Sequence, residues 1–284
     1  MQNNPLISIL IVAYNPGEYL RNTLRSCLDQ TYQNIEILIL DNNSSEDITM
    51  YFPTDSEKLS KIRLIKSTEN LGPYRGLNRL LDEALGEYIA IQDHDDIWQA
   101  EKLEKQINFL ETRQEYIGCG TNTIMYYEAD QKYFEYFLDE ENYYTIHPSL
   151  LFRNDGKFRY DTSETEYMCD AWSLKNNLCH GEKKIVNLAE PLTLHLIKSS
   201  SGNYSYRWHT LNMTNIKRAY SLHSFLYATL TIGWEIKRKI SYPILGLLWL
   251  GKWINSIERI PFRIMEKKIQ KMNGDEWWVK NLGN

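Results

Sequence analysis

Along the first 120 residues, continuous apolar runs alternate with stretches of helical spacing. Ile7–Ala13 is apolar almost throughout and rich in β-branched residues, which predicts a strand buried on both faces. Leu20, Leu24 and Leu28 recur every four residues and predict a helix over 17–28. A second buried strand is predicted over 35–40, ending at Asp41, and a weaker third over 63–65. Leu77, Leu80, Leu81, Ala84 and Leu85 form a helical stripe after Gly76. Residues 88–92 predict a fourth strand running into Asp93, and 97–113 a further helix. This alternation predicts an α/β fold, a parallel sheet covered by helices on both faces. In such sheets ligands bind outside the carboxyl ends of the strands. Tyr14 and Asn15, then Asp41, Asn42 and Asn43, then Asp93, His94, Asp95 and Asp96 stand at those ends. All three groups are expected to converge on one crevice.

Beyond Cys119 the pattern is less regular. Residues 124–138 are aromatic and partly alternating, 147–152 predict another strand, and 165–176 show helical spacing. After the loop composition of Ser199, Ser200, Ser201, Gly202 and Asn203, the character changes. Residues 205–284 carry 13 Lys and Arg against 5 Asp and Glu, a net of +8, within a chain whose net charge is −5. Six of the eight tryptophans lie in the same stretch. Two units are therefore expected: a catalytic domain over 1–204 and a basic, aromatic, helical tail over 205–284. The tail reads either as a membrane-interface element or as amphipathic helices packed on the domain. Its apolar run 240–254 contains Lys252 and falls short of the ~20 residues that span a bilayer. Gly246 to Lys252 looks like a phosphate loop but ends in Trp253 and follows no strand, which marks it as coincidence.

Composition narrows the class. With 284 residues, 43% hydrophobic and 24% charged, the chain is globular and long enough for a full core. Cys27, Cys119, Cys169 and Cys179 form no CxxC pair, so reduced thiols in a cytoplasmic protein are expected. The first residues lack a signal peptide's basic start and cleavage site. The acidic body argues against nucleic acid.

The strongest chemical signal is Asp93-His94-Asp95-Asp96. Three carboxylates in four positions repel one another unless a cation sits among them. The residues read either as ligands of Mg²⁺ or Mn²⁺ beside phosphate oxygens, or as a solvated turn in which Asp96 caps the next helix. Asp41 reads either as a partner for a base or ribose, or as a turn residue. Asn70, Arg75 and Asn78 flank a loop and helix start, where Arg75 offers planar donors to phosphate.

These residues carry a resemblance. SILIVAYN (8–15), YLRNTLRSCLDQTYQNIEILILDNNSSED (19–47), ENLGPYRGLN (69–78) and ALGEYIAIQDHDD (84–96) resemble, in order and spacing, the opening of the family 2 glycosyltransferases, which have the GT-A fold. The resemblance implies that Ala13, Tyr14 and Asn15 line a nucleotide pocket. It implies that Asp41 bonds a uracil-like ring, and that Asn70, Arg75 and Asn78 lie beside the base or diphosphate. Asp93 and His94 would contact ribose or donor sugar. Asp95 would bind the metal, with His195 as a further ligand or diphosphate contact, and Lys198 would be a phosphate partner. Members of this family invert the anomeric centre in one displacement, with a carboxylate as base. Asp170 matches that position, Glu166 is the second candidate, and Cys169 stands where Glu is usual. His147 and Ser149 would border the acceptor cleft. Leu77 stands where Arg is common, so Arg75 is the stand-in.

The expected function is transfer of a sugar from a nucleotide donor, a UDP-sugar, to a hydroxyl of a glycan or lipid-linked acceptor in cell-surface polysaccharide or lipopolysaccharide synthesis. The tail would hold the enzyme at the anionic inner face of the membrane. The competing readings are a nucleotidyltransferase, whose Gly-rich opening loop with Lys is missing here, and a non-catalytic nucleotide- or glycan-binding module.

Overall fold

The computed structural model describes residues 4–128, 131–136, 141–143, 145–163, 169–180, 182–198, 270–271 and 277–278. Most of the tail, and the segment holding Glu166, lie outside the described residues.

The first half follows the predicted alternation. Strand β1 (Ile7–Ala13) leads into helix α1 (Tyr19–Leu28), and strand β2 (Ile35–Asp41) pairs with β1 in parallel. Helix α2 (Ser56–Ser60) is short, and β3 (Ile62–Lys66) adds to the outer side of β2. Helix α3 (Pro73–Leu81) starts earlier than its stripe suggested. Gly72 at its N-cap has φ +77°, a conformation open to glycine, and Pro73 supplies the first turn. Strand β4 (Tyr88–Asp93) lies on the other side of β1.

Side chains alternate across this parallel layer and build one core on each face. Ile7, Ile9, Ile11 and Ile37 pack beneath α1 and a later helix, against Leu20, Leu24, Leu103 and Ile107. Leu10, Leu38, Ile89 and Ile91 face the other way, against Tyr74, Leu77 and Leu80 of α3. The turn into β4 approaches β1 so closely that a Cβ on Gly86 would lie 2.5 Å from the Ser8 nitrogen, so only glycine fits there.

The helix predicted over 97–113 is divided. Ile97–Trp98 form β5, and helix α4 runs only over Lys102–Thr112. A ladder to a distant strand takes the first residues: β10 (Lys184–Ile197) pairs antiparallel with β5 through Thr193 and Leu194. Asp96 is consequently not a helix cap; it is wholly buried. Strand β6 (Tyr116–Tyr127) runs parallel to β10 and antiparallel to β7 (Lys132–Tyr136). Strand β8 (Glu141–Asn142) pairs with β10. The strand expected over 147–152 begins instead as a 3₁₀ turn at His147–Ser149, which contains Pro148, and continues as β9 (Leu151–Arg153) between β4 and β6. Helix α5 (Cys169–Ser173) passes into a π-turn over Leu174–Leu178. From the tail, β11 (Gln270–Lys271) pairs with β7, and Trp278 packs on Tyr133 with ring centroids 5.0 Å apart. The sheet order is β3-β2-β1-β4-β9-β6-β7-β11, with β10 on the remaining edge of β6.

Lys102 in α4 is fully buried, its ammonium 2.8 Å from the Gln106 amide oxygen and 3.9 Å from the Trp98 ring centroid. Burial lowers its pKa to about 7, with Cys119 and Cys27 opposing the shift. Between pH 7 and the ordinary lysine range the unfolded chain binds the extra proton, so this group makes stability rise with pH there. Lys102→Met is expected to raise the thermal midpoint at pH 7. Its advantage over wild type should shrink as melts are repeated toward pH 10.

Candidate active site

The carboxyl ends of β2, β1 and β4 lie side by side, with Ala13 paired to Asp41 and Val12 to Asp93. At strand spacing the three ends fall within roughly 10 Å. Asn15 takes φ +46°, which asparagine tolerates, and its side-chain oxygen accepts from the Ser45 backbone at 2.8 Å. The Asn15 amide donates to the Ser44 hydroxyl at 3.0 Å. Asp41, almost fully buried, accepts from the Ser44 nitrogen at 2.9 Å. Asn42 does more than turn the chain: it donates to Asn70 at 3.0 Å and accepts from the Leu71 nitrogen at 2.8 Å. It thereby holds the loop before α3 against the end of β2. Tyr14 is 47% exposed at the rim, Ala13 is buried, and Arg75 is exposed on the first turn of α3. Asn78 points elsewhere than expected. Its amide exchanges two hydrogen bonds with the Tyr160 backbone, at 2.8 and 2.9 Å, and so fastens the segment before α5.

At the end of β4 the acidic groups separate into two environments. The β5–β10 register pairs Ile97 with Leu194 and Trp98 with Thr193; one step further it sets Asp96 opposite His195. The His195 Nδ1 lies 2.8 Å from Asp96 Oδ2, and the Leu196 nitrogen donates to Asp96 Oδ1 at 2.8 Å. Irregular register in β10 around Pro191 precedes this pair and redirects the strand end. One donor atom each from Asp93, Asp96 and His195 lie within 4.8 Å of one another. Asp95, expected to share a metal with His195, has its Oδ2 2.8 Å from the Lys198 ammonium. The His94 ring rests 3.3 Å from the Val12 carbonyl oxygen.

The charges reflect this crowding. Asp93 keeps some surface open to the crevice, yet burial still pushes its carboxyl up to about 8, and Asp96 and Asp95 add to the shift. Burial would lower His195, but Asp96, through its charge and hydrogen bond, outweighs it and raises the imidazole to about 9. Burial would raise Asp95, but His94 and Lys198 hold it below the usual carboxylate range. A carboxyl that resists ionising for want of positive charge, beside an imidazole oriented by a buried carboxylate, is a donor set suited to a hard divalent cation. The residues present therefore fit Mn²⁺ or Mg²⁺.

Asp170 opens α5 on the other side of the same cluster. Its charge helps to raise Asp93, and after burial it is the main cause that lifts Tyr74 and Tyr160 far above the tyrosine range. Tyr160 is hydrogen-bonded to His147 Nε2 at 2.7 Å, and Tyr74 packs on both rings. His147 thus belongs to the wall beside Asp170, and Ser149 is buried beneath it. Sequence reasoning missed Tyr74 and Tyr160 as members of this wall, and it placed Asp96 in the acidic run either as a ligand or as a helix cap. Only Asp96 left a signal, as the last acid of its run.

The family model for glycosyl transferase family 2 matches residues 8–175. The chain belongs to that family. The chain is 40% identical over 119 residues to an Escherichia coli protein, the UDP-Glc:alpha-D-GlcNAc-diphosphoundecaprenol beta-1,3-glucosyltransferase WfaP, covering 42% of this chain and 47% of that one. Its fold is similar to Staphylococcus aureus TarS 1–349 solved with UDP-GlcNAc, at TM-score 0.60 and 15% identity, over 76% of this chain and 65% of the other. It is likewise similar to the Pyrobaculum calidifontis mannosyltransferase PcManGT solved with GDP-Man and Mn²⁺, at TM-score 0.54 and 15% identity, over 77% and 62%. The chain spans about two fifths to three fifths of the length of the curated relatives it matches.

The raised pKa of His195 depends on its buried partner. In Asp96→Asn the imidazole midpoint, followed by NMR, is expected to fall from about 9 toward the ordinary histidine range.

Proposed function

We propose that the chain is an inverting glycosyltransferase that moves a sugar from a UDP-sugar to a hydroxyl of a glycan or lipid-linked acceptor during surface polysaccharide synthesis. The observation that carries this reading is the gathering of Asp93, Asp96 and His195 at the sheet's carboxyl edge, where Asp93 also feels the charge of Asp170. The donor named for WfaP and the nucleotide sugars bound to TarS and PcManGT support the donor class. WfaP's name and that of the teichuronic acid protein TuaG of Bacillus subtilis, 35% identical over 112 residues, support the acceptor class.

The chain's residues divide the work. Asp41, fixed by Ser44, accepts the imino hydrogen of the uracil ring, and Tyr14 and Asn15 flank the base. Asn70 and Arg75 border the nucleotide, and Asp93 with His94 contacts ribose or donor sugar. Asp93, Asp95 and His195 would hold Mn²⁺ or Mg²⁺, with Asp96 orienting the imidazole. Such an ion offsets the charge that gathers on the departing diphosphate. Asp170 takes the proton from the acceptor hydroxyl as that oxygen attacks the anomeric carbon from the face opposite the diphosphate. Tyr74, Tyr160 and His147 wall off water beside it.

The tail's net charge of +8 suits an anionic membrane surface. Among the described residues no helix is long and apolar enough to cross a membrane. The proposed attachment is peripheral, at the cytoplasmic face, because the tail's apolar run 240–254 is shorter than the ~20 residues that span a bilayer.

Asp170→Asn is expected to lower turnover by roughly 10²- to 10⁴-fold while UDP-sugar binding, read by calorimetry, persists. Retained turnover sinks the base assignment, and no donor binding by the wild-type chain sinks the donor class. The full chain is expected to sediment with phosphatidylglycerol vesicles at low salt and to be released by high salt. Equal binding to neutral phosphatidylcholine vesicles removes the electrostatic account.

A further inference from the structure

We infer that Lys198 is a resident counter-cation of Asp95, holding the carboxylate that a divalent ion needs, so that cation and nucleoside diphosphate bind as a coupled pair. This rests on the metal-dependent reading above and adds a residue to it.

The geometry is enclosed. The Lys198 ammonium lies 2.8 Å from Asp95 Oδ2, with the two side chains only 15% and 18% exposed. The same nitrogen sits 3.8 Å from the centroid of the Tyr19 ring, within cation–π range. Tyr19 is itself fixed, its hydroxyl donating to Glu128 at 2.7 Å. The ammonium is therefore seated between a carboxylate and an aromatic face rather than trailing in solvent. Beside the pair opens a hollow of about 190 Å³ lined by Tyr19, Asn22, Asp95, Tyr126 and Glu128. It opens at the Asp95 carboxylate itself, and Glu128, the partner of the Tyr19 hydroxyl, stands on the same wall.

Charge then couples the ligands. A dication and an ammonium repel each other and compete for Asp95. A free cation must displace the lysine without recompense. A nucleoside diphosphate supplies oxygens for the cation and a new anionic partner for the ammonium, which lies in the same strand end as His195. The cation should therefore bind weakly alone and tightly with the nucleotide, and the nucleotide should gain the same factor from the cation. Asp93, Asp96 and His195 are not neutralised by Lys198 in this way and remain the fixed part of the site.

The test is Mn²⁺ binding by the full chain, read from the electron paramagnetic resonance of the free ion, with and without UDP. Wild type is expected to bind Mn²⁺ roughly tenfold more tightly when UDP is present, a usual size for coupled sites. Lys198→Met is expected to bind Mn²⁺ alone about tenfold more tightly than wild type and to lose most of the UDP enhancement, while Lys198→Arg, which keeps the charge, behaves like wild type. Lys198→Gln repeats the measurement where thermal melts show the Met variant unfolded. Unchanged or weaker Mn²⁺ binding by both neutral variants overturns the inference while leaving the functional reading intact. Wild type that binds no Mn²⁺ even with UDP overturns both.

Discussion

A pair of residues 99 positions apart, Asp96 and His195, sets the geometry of this site. The contact follows from backbone register: once Ile97 lies opposite Leu194, the next step sets Asp96 opposite His195. A wholly buried carboxylate is costly unless it is paired and hydrogen-bonded. Asp96 meets that condition with one oxygen on the imidazole and the other on the Leu196 nitrogen. The pair therefore ties the end of β4 to the end of β10 and places a charged imidazole among carboxylates that would otherwise repel.

The two halves of the fold have different tasks around that tie. The parallel half, β3-β2-β1-β4, presents three strand ends whose loops are stitched together by Asn15, Ser44, Asn42 and Asn70. These hydrogen bonds make a firm rim of loops. The antiparallel half brings β10 and α5 to the rim from the other side, and with them His195, Lys198 and Asp170. Each brings charge to the same spot: Lys198 offsets Asp95, His195 offsets Asp93 and Asp96, and Asp170 adds a further negative group.

The tail illustrates a different constraint. Its composition separates it from the acidic N-terminal body, yet its described residues return to that body. Gln270–Lys271 extend the sheet at β7, and Trp278 enters a small core with Tyr133, Ile124 and Leu196. The edge strand β7 is thereby covered, which removes a free edge from the sheet.

Local pattern was enough for the parallel half. Apolar runs, four-residue spacing and acids after strands located β1, β2, β4, α1 and the acidic rim, because a strand buried on both faces needs an unbroken apolar run. It also singled out Asp93 and Asp95, whose type suits the chemistry, whereas Asp170 and His195 came only from the family resemblance. It misjudged Ile97 and Trp98, whose helical spacing yields to a ladder with β10, and Asp96, which resembles a cap until that ladder buries it. It assigned Asn78 to the ligand, whereas its amide fastens Tyr160. In each case the deciding partner lies 80 or more residues away, and periodicity within a window of fifteen residues carries no information about it. Residue types and strand ends belong to the sequence; which acid meets the histidine and which meets the lysine belongs to the tertiary structure, because only strand register brings those charges within reach.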